Sequence, residues 1–236
     1  MRTTIFFTLF VGFVIGQQAW DAYNYPNPIK GQFMECHVET LPSPVRICDP
    51  DQVLMENERQ ILNEKLLEIE RSSAQPLSSN YCTKHGISGV IVLAKYVGGG
   101  TSQSIQNMAN QLLRTWKVDM CQKGFLILMA TGNGKFWASR DYSLPLSGNE
   151  LANIFNTQRN NFHSGQYYQG LFNVLQQIED RTRQRSGFST QIQSQPFEWS
   201  NNLPIPAQFS GSATVHVTNF ILYSTIFMFI FGHFLL

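Results

Sequence analysis

The sequence predicts an α/β protein whose helices pack on the faces of a mixed sheet, and three observations carry that reading. Amphipathic stretches alternate with short β-branched runs over residues 49–185, in the order α, β, α, β, β, α, α. The run GFLILMA (124–130) is apolar throughout, as a central strand covered on both faces should be. Gly132-Asn133-Gly134 then turns the chain back into KFWAS (135–139), a hairpin partner.

The first helix is expected from about Gln52, where Leu54, Ile61, Leu62, Leu66 and Ile69 share one stripe and Glu and Lys fill the other faces. Asp49 or Asp51 stands where its N-cap belongs. A polar loop through Pro76 and Cys82 leads to GISGVIVLAKYV (86–97), the first strand. Beyond the loop GGGTSQS, helical spacing returns with Ile105, Met108, Leu112 and Trp116. After the hairpin, Ser147 and Glu150 form a capping-box pattern in front of Leu151, Ile154 and Phe155. The last helix, about 167–185, turns Leu171, Val174, Leu175 and Ile178 inward and ends in arginines, which suit a helix C-terminus.

The flanks are of another kind. Residues 1–16 place Arg2 before an apolar run (5–15) and end at Val14-Ile15-Gly16, the order of a secretory signal peptide. Residues 17–48 hold Pro26, Pro28, Pro42 and Pro44 with little periodicity and read as an extended Pro-rich arm. Residues 186–213 are polar and almost uncharged, a stalk. Residues 214–236 form a hydrophobic membrane segment. As a helix, 220–236 reaches roughly 26 Å against a hydrocarbon core of about 30 Å, and a start at Val215 makes up the difference. Ser210, Gly211 and Ser212 precede it as small residues would at a glycolipid-anchor site, so a GPI signal and a single-pass helix both fit. Either way the folded part is expected on the extracellular face of the plasma membrane, reached by the secretory pathway.

Export gives the four cysteines their meaning: Cys36, Cys48, Cys82 and Cys121 are an even set in an oxidising compartment, and their spacing fits no zinc pattern. They allow three connectivities, between which sequence does not choose; the preferred one, Cys36–Cys48 with Cys82–Cys121, would pin the arm and a loop. A formal net charge of +1, without a long basic run, gives no support to a nucleic-acid partner.

Few residues advertise chemistry. TGNGK (131–135) lacks the spacing of a phosphate-binding loop and runs from strand to strand, so it reads as a hairpin turn. The five histidines, His37, His85, His163, His216 and His233, are scattered, and no hydrolytic triad can be assembled on positive grounds. Asp49 and Asp51 are the best polar pair. Two carboxylates at a helix start could hold a hard cation such as calcium, but helix capping needs only one of them and is preferred. Trp116, Phe136 and Trp137 could form a recognition face or close the edge of a core.

The order of segments resembles the TPM domain, shared by a thylakoid lumen acid phosphatase, a photosystem repair protein and a nematode modulator of levamisole receptors. Asp49 before the first helix, Trp116 closing the second, Gly124 opening a hydrophobic strand and Phe162, Gly165 and Tyr167 near the end carry the resemblance, over about residues 45–182. The cysteine pattern, signal peptide and C-terminal segment are similar to the nematode branch. The resemblance implies a three-layer α/β/α sandwich outside the cell, acting without enzymatic activity as an auxiliary protein on the ectodomain of a cholinergic ligand-gated ion channel. The alternative it implies is a surface metal-dependent acid phosphatase. Arg140 and Tyr142 stand where enzymatic relatives carry glycines, which counts against that chemistry, although Asp49, Asp51 and Asp141 could still converge on an ion. No cofactor is expected, with calcium the one ion considered.

Overall fold

The computed structural model describes residues 19–186. The expected signal peptide, the stalk beyond Ser186, the hydrophobic segment 214–236 and the anchor residues Ser210, Gly211 and Ser212 lie outside that range. Among the described residues no helix is long and apolar enough to cross a membrane.

The sheet has four strands in the order β1 (Ile47–Cys48), β2 (Gly89–Ala94), β3 (Phe125–Ala130) and β4 (Lys135–Arg140). β1, β2 and β3 are parallel, and β4 closes the sheet as the antiparallel half of the expected hairpin. Every residue of β2 and β3 is buried, as their uninterrupted apolar sequences require of central strands. The alternation along β4 separates the faces. Phe136 stacks on Phe155 with ring centroids 4.9 Å apart, whereas Ser139, on the other side, donates to Asn110 at 2.6 Å.

Among the described residues six α-helices surround the sheet: α1 (Glu56–Ser73), α2 (Tyr81–Lys84), α3 (Ser102–Trp116), α4 (Gly148–Thr157), α5 (Arg159–His163) and α6 (Tyr167–Ser186). On the Phe136 face lie α4 and α5, with α6 packed on them and α1 packed on α6. The opposite face carries α3 and, beside it, the N-terminal arm. Helices therefore cover both faces. Since β1→β2 and β2→β3 step the same way while α1 and α3 lie on opposite faces, the two crossovers differ in hand, a departure from the usual right-handed rule.

Two expectations need correction. The arm is not an appendage to the sheet: its last residues, Ile47 and Cys48, are β1, too short to register as a strand in sequence. Its Tyr25 is buried, with the hydroxyl 2.9 Å from the Cys48 carbonyl and 2.6 Å from that of Leu93 while accepting from Leu93 N–H. The Trp20 backbone bonds to Tyr96 and Gly98, extending the pairing past β2. Nor does either aspartate cap α1, which begins at Glu56 rather than Gln52. Gln52 takes a left-handed φ of 50°, incompatible with a helix start, and the Met55 N–H at the true start donates to Glu58 at 2.9 Å.

The buried stripe of α1 holds Leu62, Leu66 and Ile69 as expected, but Ile61 lies at its exposed margin. Arg59, Asn63 and Lys65 are buried instead, because α1 packs against α6 as well as the sheet. The Lys65 ammonium pairs with the buried Glu179 of α6 and with Glu68. Burial works against the charge on each, yet the pairing leaves Lys65 raised and Glu179, which also meets Arg183, lowered.

Candidate functional site

The parallel strands define two ends of the molecule: an upper end, beyond the C-termini of β2 and β3, and a lower end, before their N-termini. The candidate aspartates divide between them.

At the upper end, Asp49 follows β1 and is completely buried. Its Oδ1 accepts from Val53 N at 2.8 Å; its Oδ2 accepts from Leu54 N at 2.9 Å and from Arg59 Nη1 at 3.3 Å. Burial pushes this carboxyl up, against the backbone N–H groups and the Arg59 guanidinium that hold it down. Asp51 Oδ2 accepts from Trp20 Nε1 at 2.9 Å and Lys95 N at 2.6 Å, tying the arm to the end of β2. Calcium takes six to eight oxygen ligands. Here the carboxylate oxygens already face N–H donors, one of them cationic, so the pair does not fit a calcium shell. Among the described residues no group of three His, Cys, Asp or Glu side chains is placed to hold a metal ion.

Asp141 lies at the lower end and does not join them. It follows Arg140, which pairs with Phe125 at the start of β3, whereas Asp49 sits level with the far end of β2. Strand rise and spacing put them on the order of 20 Å apart. Asp141 accepts from Gly124 N at 3.1 Å. Burial raises its carboxyl, with the Asp119 charge adding to the rise and the Gly124 N–H and Arg140 opposing it.

Both disulfides take the preferred pairing, Cys36–Cys48 and Cys82–Cys121. The first closes the arm onto β1. The second joins the α2 segment to the loop before β3, where Asp119 accepts from Cys121 N at 2.9 Å and Lys123 N at 3.1 Å, and the Lys123 ammonium reaches the carbonyls of Cys82 and His85. Two internal disulfides fit a protein of an oxidising, extracellular or secreted setting.

The residues that carried the resemblance all have structural work. Asp49 shapes the loop into α1. Trp116 packs against Tyr25, with centroids 6.2 Å apart. A Cβ on Gly124 would come within 2.9 Å of Asp141 Oδ2. Phe162 packs against both Phe136 and Phe155, and Gly165 takes a left-handed φ of 75° between α5 and α6. Arg140, at one expected glycine position, donates to the carbonyls of Tyr142 and Leu144 and fixes the loop after β4. Of the aromatic trio, Trp116 and Phe136 are buried and Trp137 is partly so, which makes them core edge.

What sequence reasoning missed are the exposed apolar side chains. At the upper end Tyr23 (88% exposed), Met34 and Met55 stand on or beside the arm. At the lower end Leu77, Tyr81, Met120 and Tyr142 stand on the loops around Cys82–Cys121. All but Tyr81 lie outside the helices and strands, where no periodicity separates an exposed apolar residue from a buried one.

Comparison with known proteins agrees with this architecture. A solution NMR structure of the N-terminal domain of a protein from P. gingivalis superposes with a TM-score of 0.55 at 15% identity, covering 74% of this chain and 98% of that one; it shows the fold alone. Comparison with curated proteins gives no match. Residues 20–134, from the arm through β3 and its turn, match the family model described as Modulator of levamisole receptor-1. Over that segment, just under half of its length, the chain is similar to the modulator of levamisole receptor-1 family.

Proposed function

We propose that this protein is a membrane-tethered extracellular auxiliary subunit that binds a cholinergic, levamisole-type ligand-gated ion channel and shifts its gating. The observation that carries the reading is the family match, which begins at Trp20 and so takes in the whole structured arm. The geometry supports it in two ways. The carboxylates that an acid phosphatase of the same fold would need are spent on backbone and arginine donors and lie at opposite ends of the sheet. The arm presents Tyr23 and Met34 on a base fixed by Cys36–Cys48 and the Asp51 bonds, a rigid amphipathic surface of the kind protein partners bind.

To modulate, the domain must bind open and closed channels unequally; a difference of about 1.4 kcal/mol changes their ratio tenfold. A tether through residues 214–236 would keep the local concentration high, so the contact itself can be weak. The test is current recording from a levamisole-sensitive channel expressed with and without the full-length chain, alongside hydrolysis of a phosphate monoester by the same protein with calcium or magnesium. The proposal expects a shifted agonist response and no turnover. Turnover lost in Asp49→Asn or Asp141→Asn, with no effect on current, would overturn it in favour of the phosphatase.

A further inference from the structure

Three connections meet at the lower end of the sheet, α1 to β2, α3 to β3 and β4 to α4, and together they expose four apolar side chains to solvent. Leu77 is fully exposed, Met120 is 84% exposed, and Tyr81 and Tyr142 are mostly so. These side chains stand on a braced base. Cys82–Cys121 joins two of the segments, Lys123 bonds to carbonyls across the join, and Ser143 N bonds to Gln122 O. Four large apolar groups held out from braced loops make a surface that water covers at a cost.

The charges here are arranged to match. Arg71, Lys84, Arg114 and Lys117 are exposed at the helix ends of this side. Its acidic groups are engaged: Asp119 and Asp141 accept backbone N–H groups, Glu70 is paired with Arg46, and Glu150 with Arg185. Apolar and tyrosine tips set among outward cations are what a phospholipid interface receives, with aromatic rings at headgroup level and cations at the phosphates.

The path of the chain names the occupant. α6 runs to this same end, where Arg185 bonds to the Pro145 carbonyl and to Glu150, so residues 187 onward depart from the lower end. The apolar sequence 214–236 follows after residues 187–213. Resting on the tethered reading given above, we propose that the lower end docks on the phospholipid surface through Leu77, Tyr81, Met120 and Tyr142, orienting the domain so that the arm points away from the bilayer.

The experiment uses the full-length chain in phosphatidylcholine vesicles containing a headgroup-level photoactivatable phospholipid, with labelled peptides identified by mass spectrometry. Docking predicts labelling of peptides spanning 77–85, 119–123 and 141–146 as well as 214–236, with the arm peptide 21–35 unlabelled. In L77S/M120S the loop labelling falls by at least about fivefold while the 214–236 labelling holds. Both positions are exposed, and retained disulfides with an unchanged near-ultraviolet spectrum establish that the variant is folded. Labelling of 214–236 without the loops overturns docking and leaves the tether standing. Absence of label from 214–236 overturns the tether and the docking that rests on it. Loops shielded only when the channel is co-reconstituted would make this end a protein interface and overturn the lipid assignment.

Discussion

The two ends of the sheet handle polar groups in opposite ways. At the upper end charge is drawn inside: Asp49 is completely buried with Arg59, and Tyr25 spends its hydroxyl on strand ends that have no neighbour to pair with. At the lower end the carboxylates hold loops in place near the surface while large apolar side chains and cations face outward. The upper end is thus a structural joint that locks the arm to the sheet, and its aspartates are poor candidates for chemistry. The lower end has freedom to contact something, because Leu77, Met120 and Tyr142 stand exposed on its loops and Tyr81 is 60% exposed although its ring meets His85.

The sharpest way to break this contrast is Asp49→Ala. It strands the buried Arg59 guanidinium and frees two backbone N–H groups, so a loss of about 3–5 kcal/mol is expected in denaturant unfolding. A cost under about 1 kcal/mol would mean that Asp49 is held for another purpose. Tyr25→Phe comes next. It keeps the ring against Trp20 and Trp116 but leaves the Leu93 N–H and two carbonyls short of a partner, for about 1–3 kcal/mol.

Much of the upper joint was legible in sequence only as residue types. The periodic elements were readable: the α3 stripe of Ile105, Met108 and Leu112 is buried, and the Ser147–Glu150 capping box forms, with Ser147 Oγ accepting from Glu150 N at 3.2 Å. β1 was hidden because two residues show no alternation, and its strand character comes wholly from pairing with β2. Asp49 and Asp51 were recognised as important but assigned to the helix cap. The left-handed Gln52 that moves the helix start to Glu56 has no local sequence signal. The convergence of Asp141 with them failed for a topological reason. The antiparallel return of β4 carries its C-terminus to the opposite end of the sheet from the C-termini of β1 and β2.

At the lower end the expected effects are smaller. Glu150 is opposed by burial but brought down to about 2 by the Arg185 guanidinium and by the Ser147 N–H and hydroxyl. Its folded-state value lies below the usual 4.5, so its contribution is full above that pH and is lost as pH falls through about 2. Because Arg185 is 44% exposed, solvent screening limits the contribution to about 0.5–1 kcal/mol. Glu150→Gln should cost that much at pH 7, and the gap between variant and parent should narrow steadily in unfolding curves taken from pH 4.5 towards pH 2. A constant gap would show that the carboxylate charge is not what matters. The smallest expected effect is that of Leu77→Ser, which should change stability by no more than about 0.5 kcal/mol. A larger loss would mean that the side chain supports the fold, and would remove it from the contact surface.

The central claim is that the arm at the upper end acts on the channel while the lower end orients the domain. The most direct measurement compares agonist dose–response curves of a levamisole-sensitive channel co-expressed with the full-length chain or with Y23S/M34S, at matched surface levels. The account predicts that the shift produced by the parent chain is abolished in Y23S/M34S, since both side chains are exposed and their loss leaves the joint intact. An undiminished shift from a folded, surface-expressed Y23S/M34S would contradict it.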